Sequence, residues 1–286
     1  MNKTIFNTNI FEYSAEEIRK ESVLRQLKMS IQGMQPKVSA VMDRSGRFKI
    51  VDKNGRYIIK PQIEAYSQVP ENETLTMSMA SIAGLEVPEH GLVVCADGSK
   101  SYFIKRFDRY GRNNKLHCED FAQLSGNDRD HKYNSSMEKT VWVIEEFCTF
   151  PLVEKQKFFK LVVFNYLVGN EDAHLKNFSL IRNKKGIVVL SPCYDLLNST
   201  IVLRRAQEEI ALPVYGKKSN LSKKLLCEYF AGERLKLNAS VIEKTLSELG
   251  ICLDEWRIMI EQSFLSEENR KKYSDLLEKR TAVIFG

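Results

Sequence analysis

The sequence has no long apolar segment, no paired cysteines and no internal repeat. No stretch approaches the roughly 20 apolar residues of a membrane-spanning helix, and residues 1–11 lack the charged and then apolar pattern of a signal peptide. The six cysteines stand singly, without a Cys-x-x-Cys pair, which argues against a zinc site or a disulfide framework. These absences predict a globular cytoplasmic protein that does not associate with a membrane.

Positive charge is in modest excess. The formal net charge is +6, and the 43 Lys and Arg residues are spread along the chain. This excess weakly favours an acidic partner, ATP included. Basic clusters at 204–205, 217–218, 223–224 and 270–272 are more typical of exposed helix faces than of a nucleic-acid interface. With 43% hydrophobic residues, the 286-residue chain can form one large domain or two lobes.

The first part of the chain is rich in predicted strands. Ser14 and Glu17 form a capping-box pattern that predicts a helix toward Lys28. Residues 30–37 are predicted to form a loop. Alternating apolar residues then predict strands at 38–42, 47–51, 56–60, 92–95 and 101–107, and a helix at 72–83.

The second part is predicted to be mainly helical, with helices at 119–124 and 151–168 and a helical tail over 219–283. A β-hairpin is predicted at 178–190, around the turn-rich residues 183–186. The sequence therefore predicts an α+β protein with a β-rich lobe at 1–108 and a helical lobe at 109–286.

Three polar residues surround this hairpin. Gly169 and Asn170 end the helix at 151–168, so that Asp172 begins a loop, with Asn177 five positions further on and Asp195 after the hairpin. Because a hairpin returns its second strand beside the start of its first, Asn177 and Asp195 should lie close together. Their oxygens suit Mg²⁺, and Asp172 would lie beside them as a general base.

Kinases use Asp-x4-Asn and a later Asp in this order. The spacing alone occurs by chance in many loops, since Asp and Asn favour turns. The order of predicted elements in the first lobe supports the kinase interpretation: Gly33 is predicted to lie in a loop, Lys60 at a strand end and Glu73 early in a helix. Such elements hold the phosphates of ATP through backbone amides and a lysine that a glutamate orients.

Three segments carry a family resemblance. Residues 30–37 contain Ser-x-x-Gly-x-Gln-x-Lys, residues 117–121 contain His-x-Glu-Asp-Phe, and residues 170–179 contain the Asp-x4-Asn loop. Together they resemble the HipA family of bacterial toxin Ser/Thr kinases over residues 25–265. The resemblance implies a bilobal, protein-kinase-like fold and an ATP- and Mg²⁺-dependent protein kinase.

The resemblance also implies residue roles. Asp172 would be the catalytic base, Asn177 and Asp195 the metal ligands, Lys60 the phosphate-binding lysine and Ser30 the autophosphorylation site. Ser30 could also be an ordinary loop hydroxyl that caps Gly33. The nucleotide contacts would be Gln32, Gly33, Met34, Gln35, Pro36, Lys37, Lys105, Arg106, Phe107, His174, Lys176 and Tyr194, with Glu73, His117, Glu119 and Asp120 in support. Lys105 departs from the acidic residue that HipA has in the hinge.

The start of the phosphate loop near residue 30 distinguishes this chain from full-length HipA, which carries about a hundred residues more before it, the size of a small domain. The chain is in this respect similar to HipT, the short kinase of the tripartite HipBST toxin–antitoxin system. That likeness implies a HipS-like protein that supplies the missing subdomain and a HipB-like helix-turn-helix protein, through which DNA would be contacted only indirectly. The implied target is an aminoacyl-tRNA synthetase, glutamyl or tryptophanyl.

Three other functions are compatible with the residues. A small-molecule phosphotransferase would share the base and metal spacing. A catalytically idle module could use the same fold to bind partner proteins or operator DNA. A metal-dependent nuclease built on Asp172, His174 and Asn177 is the third, and it would need no ATP.

Overall fold

The computed structural model describes residues 7–25, 35–111, 113–126, 133–202 and 208–286. A six-stranded sheet dominates the first lobe, in the order β1-β5-β6-β4-β2-β3. Its neighbours pair antiparallel, except that β1 is parallel to β5. The strands are β1 (Asn7–Phe11), β2 (Val38–Met42), β3 (Phe48–Ile50), β4 (Tyr57–Pro61), β5 (His90–Cys95) and β6 (Lys100–Lys105). The sequence patterns had predicted all of these strands but β1.

Two helices belong to this lobe, α1 (Ala15–Arg25) and α2 (Val69–Ile82). The capping box of α1 is confirmed: the Glu17 carboxylate accepts from the Ser14 backbone N–H at 2.7 Å, and Ser14 Oγ accepts from the Glu17 backbone N–H at 3.1 Å. The expected start of α2 at residue 72 is wrong by three residues. Pro70 lies in its first turn, where a proline costs no hydrogen bond.

The two faces of the sheet pack into different cores, and the alternation along β4 shows how. Tyr57 and Ile59 pack with residues of α1, β2 and β3, such as Ile18 and Phe48. Ile58 packs on the opposite side, toward the core that α2 shares with the helical lobe. Since side chains alternate along a strand, Lys60 also lies on this second side and faces α2.

The helical lobe is built around α5, whose side chains are buried on most of its circumference. Its observed limits, Pro151–Val168, equal the predicted ones. The other helices are α3 (Phe121–Leu124), α4 (Met137–Phe147), α6 (Ser199–Val202), a π-helical segment (Lys224–Arg234), α7 (Ala239–Ile251), α8 (Leu253–Glu261) and α9 (Glu267–Phe285). Among the described residues, no helix combines the length and the apolarity needed to cross a bilayer.

Short strands complete this lobe: β7 (Arg109–Tyr110), β8 (Asn114–Lys115), β9 (Cys118–Asp120), β10 (Ser179–Arg182) and β11 (Val188–Leu190). The hairpin β10–β11 is confirmed, with Leu180 opposite Leu190. The helix expected at 119–124 is wrong in its first two residues. Residues 118–120 form β9 and pair with β10, and the helix begins only at Phe121, after Asp120 has capped it.

Helix α2 is fixed to the helical lobe by buried hydrogen bonds. The Asn72 side chain donates to the backbone oxygen of Asn198 at 2.9 Å and accepts from its backbone N–H at 2.8 Å. The Trp256 indole donates to the backbone oxygen of Met79 at 3.0 Å, and the hydroxyls of Thr76 and Tyr273 lie 2.9 Å apart. These bonds set the position of α2 relative to the segment that follows Asp195.

Candidate active site

The end of α5 positions the loop that carries Asp172. Gly169 ends the helix with φ 72, in the left-handed region that favours glycine. A Cβ at this position would come within 2.3 Å of the Leu276 side chain and 2.8 Å of Thr200 Oγ1. The backbone oxygen of Gly169 also accepts a hydrogen bond from Thr200 Oγ1 at 3.0 Å. The loop therefore leaves a buried helix at a closely packed point, and Asp172 is exposed three residues later.

A single 3₁₀ turn, Leu175–Asn177, fixes the spacing between Asp172 and Asn177. The Asn177 side-chain oxygen accepts from the backbone N–H of His174 at 3.2 Å, and the backbone N–H of Asn177 donates to the backbone oxygen of His174 at 2.9 Å. Leu175 is fully buried beneath the turn. This closed turn holds Asn177 on the inner side of the loop.

The hairpin then brings Asp195 back to Asn177, as the sequence argument expected. The side-chain nitrogen of Asn177 lies 3.5 Å from Asp195 Oδ2. Asp195 itself has φ 55, in the left-handed region that aspartate tolerates better than most residues. This conformation is uncommon outside glycine, and such residues cluster at functional sites.

Lys60 connects the two lobes at this point. Its ammonium donates to Glu73 Oε1 at 2.6 Å and to Asp195 Oδ1, and it lies 5.4 Å from the centre of the Tyr102 ring. The side chains of Lys60 and Glu73 are only 5% and 2% exposed, so this ion pair is removed from solvent. The expected contact between a strand-end lysine and an early helix glutamate is present.

The pKa values in this cluster are set by burial and by the attraction between the Lys60 ammonium and the carboxylates of Glu73 and Asp195. Burial raises the pKa of Glu73 to about 7, although the attraction of Lys60 opposes this rise. Burial would also raise the pKa of Asp195, but Lys60 and Lys37 outweigh it and lower that pKa to about 2. For Lys60, burial acts to lower the pKa, and the two carboxylates more than compensate, so the pKa is raised.

The raised pKa of Glu73 predicts a pH-dependent stability. A carboxyl whose pKa is higher in the folded than in the unfolded chain stabilises the fold most below pH 4.5, and this contribution is lost as pH rises to about 7. We expect the free energy of unfolding of the native chain, relative to that of Glu73→Gln, to fall by about 1 to 3 kcal/mol between pH 4.5 and 8. Urea unfolding of both proteins across this range measures the difference. A difference that stays constant with pH would show that the pKa of Glu73 is not raised in the fold.

The predicted nucleotide loop lies only partly within the described residues. Ser30, Gln32, Gly33 and Met34 lie outside them. Gln35, Pro36 and Lys37 are partly buried, and the backbone N–H of Lys37 donates to Ser22 Oγ at 2.9 Å. Burial lowers the pKa of Lys37, while the nearby Asp195 opposes that shift. Lys37 thus adds a second cation beside Lys60.

The predicted hinge residues divide into two groups. Lys105 and Arg106 form ion pairs with neighbouring carboxylates, Lys105 with Glu89 at 2.8 Å and Arg106 with Asp108 at 2.7 Å. Phe107 instead packs against Tyr194, with ring centres 5.7 Å apart. Phe107, which follows β6, is therefore in contact with Tyr194, the residue that precedes Asp195.

Besides Glu73 of α2, the residues predicted to support the site lie on β9 or just before it. Asp120 accepts a hydrogen bond from Lys176 at 2.8 Å, so that Lys176 is bound to β9. His117 is exposed and lies 3.5 Å from the Glu119 carboxylate. The Tyr194 hydroxyl in turn donates to the backbone oxygen of Lys176 at 2.9 Å. Asp120, Lys176 and Tyr194 thus connect the two ends of the hairpin.

Sequence reasoning missed two contacts of the Asp172 loop. The Tyr133 hydroxyl donates to Asp172 Oδ1, and its ring meets that of His174 edge-on at 4.9 Å. Glu171 is buried and lies 3.8 Å from Arg280 of α9, which stacks 4.5 Å from the Tyr166 ring. No local pattern relates Tyr133 or Arg280 to the loop, because 39 and 109 positions separate these pairs in sequence.

The donor set suits a hard cation beside a triphosphate. Asp195 offers a carboxylate of lowered pKa, Asn177 offers an amide, and Lys37 and Lys60 supply positive charge for phosphate oxygens. The Asn177 amide presents its nitrogen to Asp195, so that to ligate a cation it must turn its oxygen there instead. Among the described residues no group of three or more His, Cys, Asp and Glu forms a complete metal site. The residues therefore fit a metal that shares its coordination with a bound nucleotide.

A β-rich lobe and a helical lobe, joined at a buried lysine–glutamate pair next to an Asp-x4-Asn loop, define a protein-kinase-like fold. Two solved structures share it. A chain of "Shewanella oneidensis MR-1 Toxin Antitoxin System HipA, HipB and its operator DNA complex" superposes with a TM-score of 0.74 at 21% identity, over 97% of this chain and 72% of that one. The Helicobacter pylori proinflammatory kinase CtkA gives 0.59 at 16% identity, over 86% and 93% of the two chains.

The profile of the HipA-like C-terminal domain matches residues 29–256, and the chain belongs to this family. A Haemophilus influenzae protein named "Putative kinase" is 29% identical over 95% of this chain and 86% of its own length. The Shewanella oneidensis "Serine/threonine-protein kinase toxin HipA" is 28% identical over 60% of this chain and 43% of its own length. The relatives thus support kinase activity at a general level, and the sequence alignment covers less than half of the length of the HipA toxin.

Proposed function

We propose that this chain is an ATP- and Mg²⁺-dependent protein serine/threonine kinase and the toxin of a bacterial toxin–antitoxin system. Lys60 contacts both Glu73 and Asp195, and Asp195 Oδ2 lies 3.5 Å from the side-chain nitrogen of Asn177. This arrangement is the main observation in support of the proposal. A buried lysine, a helix glutamate and a metal-binding aspartate are the parts that kinases need to hold ATP phosphates. We also propose the division into lobes at residues 108 and 109.

The chain's own residues would act as follows. Lys60 and Lys37 would bind phosphate oxygens, and Asp195 and Asn177 would hold Mg²⁺, whose charge would offset that of the transferred group. Asp172 accepts the proton of the acceptor hydroxyl as that oxygen attacks the γ-phosphorus and the bond to ADP breaks. Phe107 and Tyr194, which pack together, supply an apolar surface near the base of ATP.

The finer parts of the proposal come from the family. By analogy with the HipA–HipB–DNA structure, a HipB-like protein is the proposed partner and the link to DNA. We also propose the HipT-like subtype, with a HipS-like partner, and an aminoacyl-tRNA synthetase as the target. Autophosphorylation of Ser30 would place a dianion next to the phosphate loop and repel the nucleotide.

Phosphate mapping tests the class of reaction. We expect the purified chain, incubated with ATP and Mg²⁺ and then digested for mass spectrometry, to carry phosphate on Ser30, and the Asp172→Gln variant to carry none. Ser30→Ala is the matched control for assignment of the site. Without Mg²⁺, phosphate should be absent from the native chain as well.

Two outcomes would contradict the proposal. Phosphate that appears on an added metabolite, such as an aminoglycoside, and never on protein would identify a small-molecule phosphotransferase. Cleavage of RNA or DNA with Mg²⁺ and without ATP would identify a nuclease.

A further inference from the structure

Tyr133 occupies one oxygen of the proposed catalytic base. Its hydroxyl donates to Asp172 Oδ1, although the two residues are 39 positions apart. Asp172 is exposed, so this oxygen would otherwise face the solvent and an incoming substrate. A general base must lie within hydrogen-bond reach of the hydroxyl whose proton it accepts. The Tyr133 hydroxyl already lies at this position relative to Asp172.

The backbone of Tyr133 is held by the start of α4. Its backbone oxygen accepts from the N–H of Ser135 at 2.9 Å, and Ser136 caps the helix that begins at Met137. The N–H of Met137 is bound to the backbone oxygen of Pro213 at 3.0 Å, which fixes the helix start. The position of Tyr133 is thus set by the framework of the helical lobe.

The contact of Tyr133 is not a core contact. The residue is 42% exposed, and its ring meets the His174 ring edge-on, with ring centres 4.9 Å apart. A hydrogen bond at such an exposed position adds little to the stability of a fold. Partial burial and the hydrogen bond to Asp172 raise the pKa of Tyr133, so the phenol keeps its proton at neutral pH. Its donor function is therefore permanent.

We propose that the Asp172 oxygen bound by Tyr133 is the acceptor-hydroxyl site, and that Tyr133 occupies it as a built-in competitor of the substrate. A serine or threonine hydroxyl must displace the tyrosine hydroxyl before it can react. Water is excluded from this one oxygen in the same way, which limits wasteful ATP hydrolysis. This inference rests on the proposed kinase function.

The test compares Tyr133→Phe with the native chain. The variant keeps the ring beside His174 and removes only the hydroxyl. Release of inorganic phosphate in the presence of ATP and Mg²⁺, with no acceptor protein, reports attack by water on the γ-phosphorus, with its proton passing to Asp172 and ADP leaving; autophosphorylation would instead keep the phosphate on the chain. We expect this rate to rise by about three- to tenfold, the effect of one lost competing hydrogen bond. With dephosphorylated casein as acceptor, KM should fall by a similar factor while kcat stays unchanged.

Tyr215→Phe is the matched control, since Tyr215 is exposed and packs against Tyr229, away from the loop. It should leave both rates unchanged. A lower kcat in Tyr133→Phe with an unchanged KM would overturn the proposal and show that Tyr133 orients Asp172. Phosphate found on Tyr133 would also overturn it, because the residue would then be a substrate.

Failure of the inference is distinguishable from failure of the proposed function. If the native chain transfers phosphate and Tyr133→Phe behaves identically, only the competitor role is lost. If neither protein releases ADP nor transfers phosphate, the kinase assignment itself fails.

Discussion

Asp172→Asn should reduce phosphate transfer by about 10²- to 10⁴-fold, the usual contribution of general acid–base catalysis. The substitution keeps the size of the side chain and its place at the end of the Gly169 turn, but an amide cannot take the proton of the acceptor hydroxyl. Because Asp172 is exposed, the fold should be unaffected. The rate of phosphate transfer from ATP to protein, measured with radiolabelled ATP, gives the size of the effect.

Asp275→Asn serves as the control for this prediction, since Asp275 is an exposed residue of α9 paired with Lys271. It should transfer phosphate at the native rate. Expression in cells provides a second comparison: the native chain should arrest growth and the Asp172→Asn variant should not. If Asp172→Asn still arrests growth at full strength, the chain acts by binding and not by catalysis.

Lys60→Met should have the largest effect on both stability and activity. Removal of the ammonium leaves Glu73 buried and Asp195 beside it with no direct cation. Breaking such a pair from one side costs about 3 to 5 kcal/mol. Since the pKa of Glu73 is already raised to about 7, protonation of this carboxyl relieves the cost, and the loss should be smaller at pH 5 than at pH 8.

Urea unfolding at the two pH values measures this loss, and binding of a fluorescent ATP analogue measures the lost phosphate contact. Lys53→Met, which removes an exposed lysine in a turn of the first lobe, should change neither. If Lys60→Met and the native chain are equally stable at pH 8 and bind the nucleotide equally well, Lys60 does not have the proposed role in the site.

Local sequence patterns predicted much of the fold. The helix Pro151–Val168 was predicted to the residue, because a nearly continuous apolar surface is bounded by Pro151 and Gly169. The hairpin β10–β11 followed from its turn residues, and with it the proximity of Asn177 and Asp195. Elements whose residues alternate weakly were missed or misassigned, as β1 and β9 show. Both are short strands whose pairing partners lie far along the chain.

The sequence by itself determined the order of the lobes, the loop from Asp172 to Asn177 and the pairing of Asn177 with Asp195, because these depend on contacts within a few residues or across one hairpin. Only the tertiary structure decided that Asp195 joins the expected Lys60–Glu73 pair, that Asn72 holds α2 against Asn198, and that Tyr133 reaches Asp172. Such contacts join residues that are distant along the chain. They arise when the sheet, α2 and the helical lobe bury a common apolar core, and no local periodicity specifies which polar groups then meet at its edge.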